Sequence, residues 1–144
     1  NCSSLKSISL PMALKTIGDG ALKGTGLRTT EIPKSVFWLG DGLVADCQSM
    51  EHVKIPENIG RISDRMFEGC TNLKKVELHE KLGTIGERAF FGCSSLDFIV
   101  IPDSVKQIGQ DAFTNTDKQF IIQCSFGSYA EEYARKNKFK YQLV

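Results

Sequence analysis

Branched apolar residues recur along the chain at a nearly constant interval. One column has spacings of 22, 23, 23 and 23 residues and consists of Leu10, Ile32, Ile55, Leu78 and Ile101. A second column lies seven residues further on and has the same spacings: Ile17, Leu39, Ile62, Ile85 and Ile108. Several columns locked to one period are the sequence signature of a repeat architecture. The chain is therefore predicted to be an array of coils of about 23 residues.

Within each period, a short segment alternates apolar and charged positions. Val76 and Leu78 alternate with Lys75 and Glu77, which is typical of a strand with one buried face. Repetition at constant spacing places these strands side by side, so they are expected to run parallel. All four prolines follow residues of the first column, where the missing N–H ends the strand.

A second kind of segment, such as residues 87–91, ends before a residue that tolerates a left-handed backbone. These residues are Gly24, Asp46, Gly69, Gly92 and Asn115. The pattern is interpreted as a short helical turn that is ended by the left-handed residue that follows it. The predicted fold is an α/β solenoid, with a right-handed coil, stacked short parallel strands and short helical turns. The solenoid is predicted to cover residues 1–124 in about five coils, the first of them incomplete. The coils must stack, because a single coil cannot bury its two flat sides.

The last segment, residues 125–144, departs from the repeat and is predicted to be a C-terminal helical cap. Ser128 and Glu131 have the spacing of a capping box, which predicts a helix over about 128–137 and then a short strand. Such caps hide the last flat side of a solenoid. No comparable cap is expected before the first coil, so the chain is interpreted as the carboxyl-terminal part of a longer array. The open first coil, with Leu5, Ile8 and Leu10, is expected to promote self-association.

The repeats resemble the BspA-type leucine-rich repeat. The resemblance rests on residues 55–62, on residues 85–96 with their Ala89-Phe90-Phe91-Gly92-Cys93 core, and on the tail at 127–134. It implies a cell-surface or secreted protein of a host-associated bacterium or parasitic protist, linked with adhesion and with binding of extracellular host proteins. The family shares no catalytic residues and no common ligand. The first full repeat, through Leu10 to Thr30, is one residue short, and the repeat around Phe37 and Trp38 has drifted from the family pattern.

Composition narrows the possible partners. Of the 144 residues, 18 are Lys or Arg and 17 are Asp or Glu, which gives a formal net charge of +1. Nucleic acid and anionic membranes require a concentrated basic field, so neither is expected as the main partner. No apolar run approaches the roughly 20 residues of a transmembrane helix, so no membrane insertion is expected in this segment.

Cysteine and histidine residues offer little chemistry. Cys2, Cys47, Cys70 and Cys93 share one inward column with Thr25 and Thr116, which favours small buried free thiols over a disulfide framework. An interval of 23 residues lacks the short paired spacing of a zinc site. The only histidines, His52 and His79, lie at outward positions with no partner for nucleophilic or acid–base catalysis. No enzyme activity, metal or cofactor is predicted.

Two sets of outward residues are candidates for binding a protein ligand. Phe37 and Trp38 occupy slots that are polar in the other coils; they mark an interaction site or fold over a poorly packed coil. The other set lies on outward strand positions: His52, Lys54, Lys75, Glu77, Phe98 and Val100. The predicted function is a non-enzymatic protein-binding module for adhesion or host-protein recognition. The alternatives are a structural spacer without a ligand and an intracellular scaffold, which would suit free thiols.

Overall fold

In a computed structural model that describes residues 1–144, the chain winds into a solenoid of about six turns of about 23 residues, where the columns predicted about five. A single helix, α1, spans Tyr129–Lys136. The strands are β1 Thr16–Ile17, β2 Thr29–Thr30, β3 Trp38–Leu39, β4 His52–Lys54, β5 Arg61–Ile62, β6 Lys75–Glu77, β7 Thr84–Ile85, β8 Phe98–Val100, β9 Gln107–Ile108, β10 Ile121–Cys124 and β11 Lys140–Leu143.

The strands stack along two lines, and each strand pairs in parallel with a strand one coil away. The first strand line contains the sheets β2-β4-β6 and β8-β10-β11, and the second contains β1-β3 and β5-β7-β9. Val53 pairs with Val76 in the first line, and Ile62 pairs with Ile85 in the second. The predicted parallel ladder and its 23-residue register are therefore confirmed.

One apolar core runs through all the coils. It is a continuous cluster of 36 buried residues, so the coils share an interior and do not form separate small cores. Phe67, Phe90 and Phe113 stack in consecutive coils with ring centroids 5.1 and 5.3 Å apart. Phe120 continues the stack towards the cap at 5.2 Å. Each fully buried ring of this size contributes about 1.5–3 kcal/mol before entropy is subtracted.

The short helical turns do not form, and this prediction was wrong. Arg88 and Gly92, four residues apart, both have positive φ angles, of 53° and 75°. The N–H groups of Arg88 and Phe90 donate to the Gln110 and Ala112 carbonyls of the next coil, at 2.9 and 2.8 Å. A helix would use these donors within its own segment. The predicted left-handed residue is confirmed in all five coils, at Gly24, Asp46, Gly69, Gly92 and Asn115.

Glycines that follow the second column allow neighbouring coils to approach closely. A Cβ atom on Gly86 would lie 2.7 Å from the Asp64 backbone nitrogen and 2.8 Å from the Ser63 carbonyl carbon. Three other coils have similarly crowded glycines in this column, and Ser63 occupies the equivalent position in its own coil. Strand β5, which contains the preceding residue Ile62, does not pair with β3 of the coil before it. The Ser63 hydroxyl instead donates to the Gly40 carbonyl oxygen at 2.7 Å. A side-chain hydrogen bond thus replaces strand pairing between β3 and β5, while backbone bonds such as that from the Gly42 N–H to the Asp64 carbonyl still join the two coils.

The cap consists of α1 and β11. The Ser128 hydroxyl accepts the Glu131 N–H at the start of the helix, as the capping-box pattern predicted. The Glu131 carboxylate, however, accepts the N–H of Gly127, at 2.6 Å, and pairs with Arg135 at 2.6 Å. Ala130 is buried against the core, and β11 pairs with β10, which extends the first strand line by one strand.

Candidate protein-binding surface

The structure divides the eight candidate residues between the two strand lines. Six of them lie on three strands of the first line: His52 and Lys54 on β4, Lys75 and Glu77 on β6, and Phe98 and Val100 on β8. Phe37 and Trp38 lie at β3, in the second line. The candidates therefore form two separate groups, in different sheets.

The polar part of the first line contains one side-chain pair and two unpaired lysines. His52 is in register with Lys75, and Lys54 is in register with Glu77. The His52 Nε2 atom hydrogen-bonds the Glu77 carboxylate at 2.9 Å, and this bond lowers the pKa of Glu77 below its usual value. Lys54 and Lys75 form no ion pair. These two ammonium groups are the charges that remain free to meet a partner.

The apolar part of the first line begins where the ladder is interrupted. No hydrogen-bonded pairing joins β6 to β8, so Glu77 and Val100 lie on either side of a break between two sheets. Phe98 is 37% exposed and Val100 is 46% exposed. Phe98 is in register with the partly buried Ile121 of β10. A small apolar step therefore lies one coil beyond Lys75 and Glu77.

The second aromatic group also adjoins an interruption. Phe37 is 61% exposed and Trp38 is 52% exposed, so more than half of each side chain faces solvent. Phe37 remains tied to the preceding coil, because its N–H donates to the Lys15 carbonyl at 3.0 Å. The missing pairing between β3 and β5 lies on the other side of these rings.

The thiol column is confirmed as a packing feature in four of its six coils, since Thr25 and three of the cysteines are buried while Thr116 is partly buried. The Cys47, Cys70 and Cys93 thiols are free, buried and donate to carbonyl oxygens of the preceding coil at 3.0–3.1 Å. Burial raises the pKa of Cys93 to about 12 and that of Cys70 well above its usual range. Cys2 is exposed, and the prediction that it lies inward was wrong, because the first coil is covered on one side only, by the coil that follows it. Cys124 is likewise free and buried.

His79 has a structural role in the position that proline occupies in other coils. Its Nε2 atom hydrogen-bonds the Ile59 carbonyl of the preceding coil at 2.8 Å, and its Nδ1 atom accepts the Lys81 N–H at 3.1 Å. These contacts correspond to a neutral ring with the proton on Nε2. No group of three or more His, Cys, Asp or Glu side chains is arranged to hold a metal ion.

Sequence reasoning missed a groove between the last coil and the cap helix. It has a volume of about 310 Å³ and lies between residues 108–111 and the Tyr129, Glu132, Tyr133 and Lys136 side of α1. Burial raises the pKa of Tyr133 to about 12. The available signal was the helical spacing of these four side chains, which the capping interpretation left unused.

Comparison with known proteins identifies the repeat. The model of the BspA type leucine rich repeat region matches residues 1–119 in six copies. No curated protein matches the chain. No helix of the structure combines the length and apolar character needed to cross a membrane.

Three solved structures share the fold. A leucine-rich repeat protein from Bacteroides ovatus is 28% identical, with a TM-score of 0.78 over 99% of this chain and 40% of its own. A leucine rich cell surface protein from Faecalibacterium prausnitzii is 26% identical, with a TM-score of 0.80 over 92% and 35%. The T. pallidum leucine rich repeat protein is 26% identical, with a TM-score of 0.72 over 76% and 52%. This chain thus spans about a third to a half of their lengths, and it belongs to the BspA-type leucine-rich repeat family.

Proposed function

We propose that the chain is a non-enzymatic protein-binding module of a cell-surface or secreted leucine-rich repeat protein, acting in adhesion or in recognition of host proteins. The observation that carries the proposal is the outer face of β4, β6 and β8. There the free ammonium group of Lys75 lies one coil from the exposed Phe98 and Val100, and that of Lys54 lies two coils away. Stacked parallel strands present such side chains at regular spacing on a rigid surface, as repeat proteins do for protein ligands.

The chemistry of this face favours a protein over a small molecule. A buried apolar anchor next to charged groups is the usual composition of an interaction hot spot and its rim. The Glu77 carboxylate already has the His52 ring as a hydrogen-bond partner, so a protein that buries Phe98 need not supply one. An acidic or amide-rich rim on the partner would complement Lys54 and Lys75.

The proposed location outside the cell is supported by family relationship. The F. prausnitzii protein with the same fold is described as a cell surface protein. The buried thiols form no disulfide, so the module depends on its core and not on crosslinks. This stability mechanism functions in any compartment.

Binding to a panel of purified extracellular matrix and plasma proteins, measured by surface plasmon resonance, tests the proposal. We expect at least one of them to bind, and the double variant Phe98→Ser/Val100→Ser to weaken that binding about tenfold or more, or by at least about 1.4 kcal/mol. The matched variant Phe37→Ser/Trp38→Ser removes the other aromatic group and is expected to leave this binding unchanged. Binding by no member of the panel would favour the alternative of a spacer without a ligand. Binding that neither variant alters would contradict the assignment of the binding surface to β4, β6 and β8.

Self-association through the first coil stays a second, separate proposal. Ile8 is 40% exposed, and Leu5 and Leu10 are partly buried at this end of the core. Sedimentation velocity over a wide concentration range is expected to show dimers or larger species. Replacing Ile8 by Ser should then shift the distribution to monomer, and a monomer at every concentration would contradict the proposal.

A further inference from the structure

Stacked coils satisfy a fixed set of backbone groups along the second strand line. The carbonyl of Ile85 accepts the N–H of Gly109 in the next coil at 2.8 Å, and Ile62 accepts that of Gly86 at 2.8 Å. Three residues after Ile85, the N–H of Arg88 donates to the Gln110 carbonyl at 2.9 Å. Each coil therefore offers one carbonyl, which accepts the N–H of a glycine in the next coil, and one N–H, which donates to the carbonyl of the residue after that glycine.

In the last coil the same two groups have no partner. No residue donates to the Ile108 carbonyl, and the Asp111 N–H, which corresponds to that of Arg88, donates to no acceptor. Both residues line the groove of about 310 Å³ against α1. Unpaired backbone groups at a sheet edge are a template for an added strand.

We propose that this groove binds an extended peptide segment that contains a glycine. The glycine N–H donates to the Ile108 carbonyl, and the carbonyl of the next peptide residue accepts the Asp111 N–H. The groove is distinct from the face of β4, β6 and β8, so this proposal is independent of the function proposed above.

The requirement for glycine follows from the spacing of the coils. A Cβ atom on Gly109 would lie 2.7 Å from the Glu87 Cα and 2.7 Å from the Gly86 carbonyl carbon. A peptide residue that stacks on residues 108–110 in the same way meets the same crowding from the backbone of the last coil. The groove is at the lower end of the about 300–1,000 Å³ range of ligand pockets, which suits a few small residues.

The charges of the groove favour a basic segment. Asp111 and Glu132 supply two carboxylates, and Lys136 supplies one ammonium group. Glu132 and Lys136 form no ion pair within the chain. Lysine or arginine on either side of the peptide glycine complements the excess carboxylate.

Titration of ¹⁵N-labelled protein with the peptide acetyl-Lys-Ala-Gly-Ala-Lys-amide tests the proposal by NMR. We expect saturable shifts of the Asp111 amide and of its neighbours in the groove. A control peptide with alanine in place of glycine is expected to bind at least about tenfold more weakly, because its extra methyl group meets the backbone of the last coil. Equal binding of both peptides, or shifts that never involve the Asp111 amide, would overturn the proposal.

Two variants test the location of the site. Glu132→Trp places a large ring in the groove from an exposed helix position and should abolish the shifts, whereas Glu80→Trp, also exposed, should leave them unchanged. An unchanged melting temperature establishes that each variant is folded. If the same amides shift with protein concentration in the absence of peptide, a second copy of the chain occupies the groove, and the peptide assignment is wrong.

Discussion

At the residue scale, close approach of the coils depends on small side chains in two columns. The glycine column lets the backbone of one coil contact that of the coil before it. The thiol column directs each S–H to a carbonyl oxygen one coil away, which satisfies that carbonyl with a small group. Thr25 takes the equivalent place beside Cys47, with the two side chains 3.4 Å apart. Positions in the thiol column therefore require a small side chain with one hydrogen-bond donor, which both cysteine and threonine provide.

Replacing Gly86 by Ala should destabilise the array by about 1–3 kcal/mol, because the added methyl group overpacks against Ser63 and Asp64. Gly18 occupies the same column in the first coil, and a Cβ atom there would meet nothing within 4 Å. Gly18→Ala is therefore the matched control and should leave stability unchanged or slightly increased. Urea unfolding of the two variants measures the difference, and equal midpoints would contradict the role assigned to this column.

The raised thiol pKa values predict a loss of stability in alkali. In the unfolded chain Cys70 and Cys93 ionise near the ordinary thiol pKa of 9.0, whereas burial in the folded chain raises the pKa of both, to about 12 for Cys93. Their contribution is full below pH 9 and is lost as the pH rises towards the folded pKa values. Thermal melts at pH 7 and pH 10.5 should show a larger decrease for the native protein than for Cys70→Thr/Cys93→Thr. An equal decrease in both proteins would argue against buried thiols.

At the element scale, the sequence columns predicted the strands, their parallel pairing and the cap helix, but not the turns. The strands could be predicted, because the spacing of apolar residues along the sequence gives both the alternation within a strand and the register between strands. The segment around Arg88 was misread, because turns closed by hydrogen bonds over three residues resemble one turn of helix in their local pattern. The groove beside α1 was missed, because the helical spacing of its side chains does not by itself show that they face Ile108 and Asp111.

The cap helix depends on Glu131, whose carboxylate is buried and accepts from Gly127 and Arg135. Glu131→Ala should lower the free energy of unfolding by about 1–3 kcal/mol, because it removes the buried carboxylate that accepts from the Gly127 N–H and from Arg135. Glu132→Ala changes an exposed neighbour in the same helical turn and should change stability by less than about 0.5 kcal/mol. Differential scanning calorimetry provides the measurement, and similar melting temperatures for both variants would contradict the buried role of Glu131.

At the scale of the whole molecule, the coils are stable only together. The stacked rings of Phe67, Phe90 and Phe113 pass through three coils and reach the cap at Phe120. Because each coil buries its flat sides only against its neighbours, damage to one coil removes support from the next. The surface of β4, β6 and β8 is drawn from three consecutive coils, so its geometry depends on the same stacking.

Thermal unfolding of Ile85→Asp, followed by circular dichroism, tests the shared core most directly. Ile85 is fully buried in the fourth coil, and an unpaired carboxylate there should cost more than about 4 kcal/mol, a large part of the stability of a domain of this size. Thr84→Asp introduces the same side chain one residue earlier, on the outward side of the same strand, and should melt within a few degrees of the native protein. The account predicts loss of the cooperative transition in Ile85→Asp alone; a melting curve for that variant like the native one would contradict it.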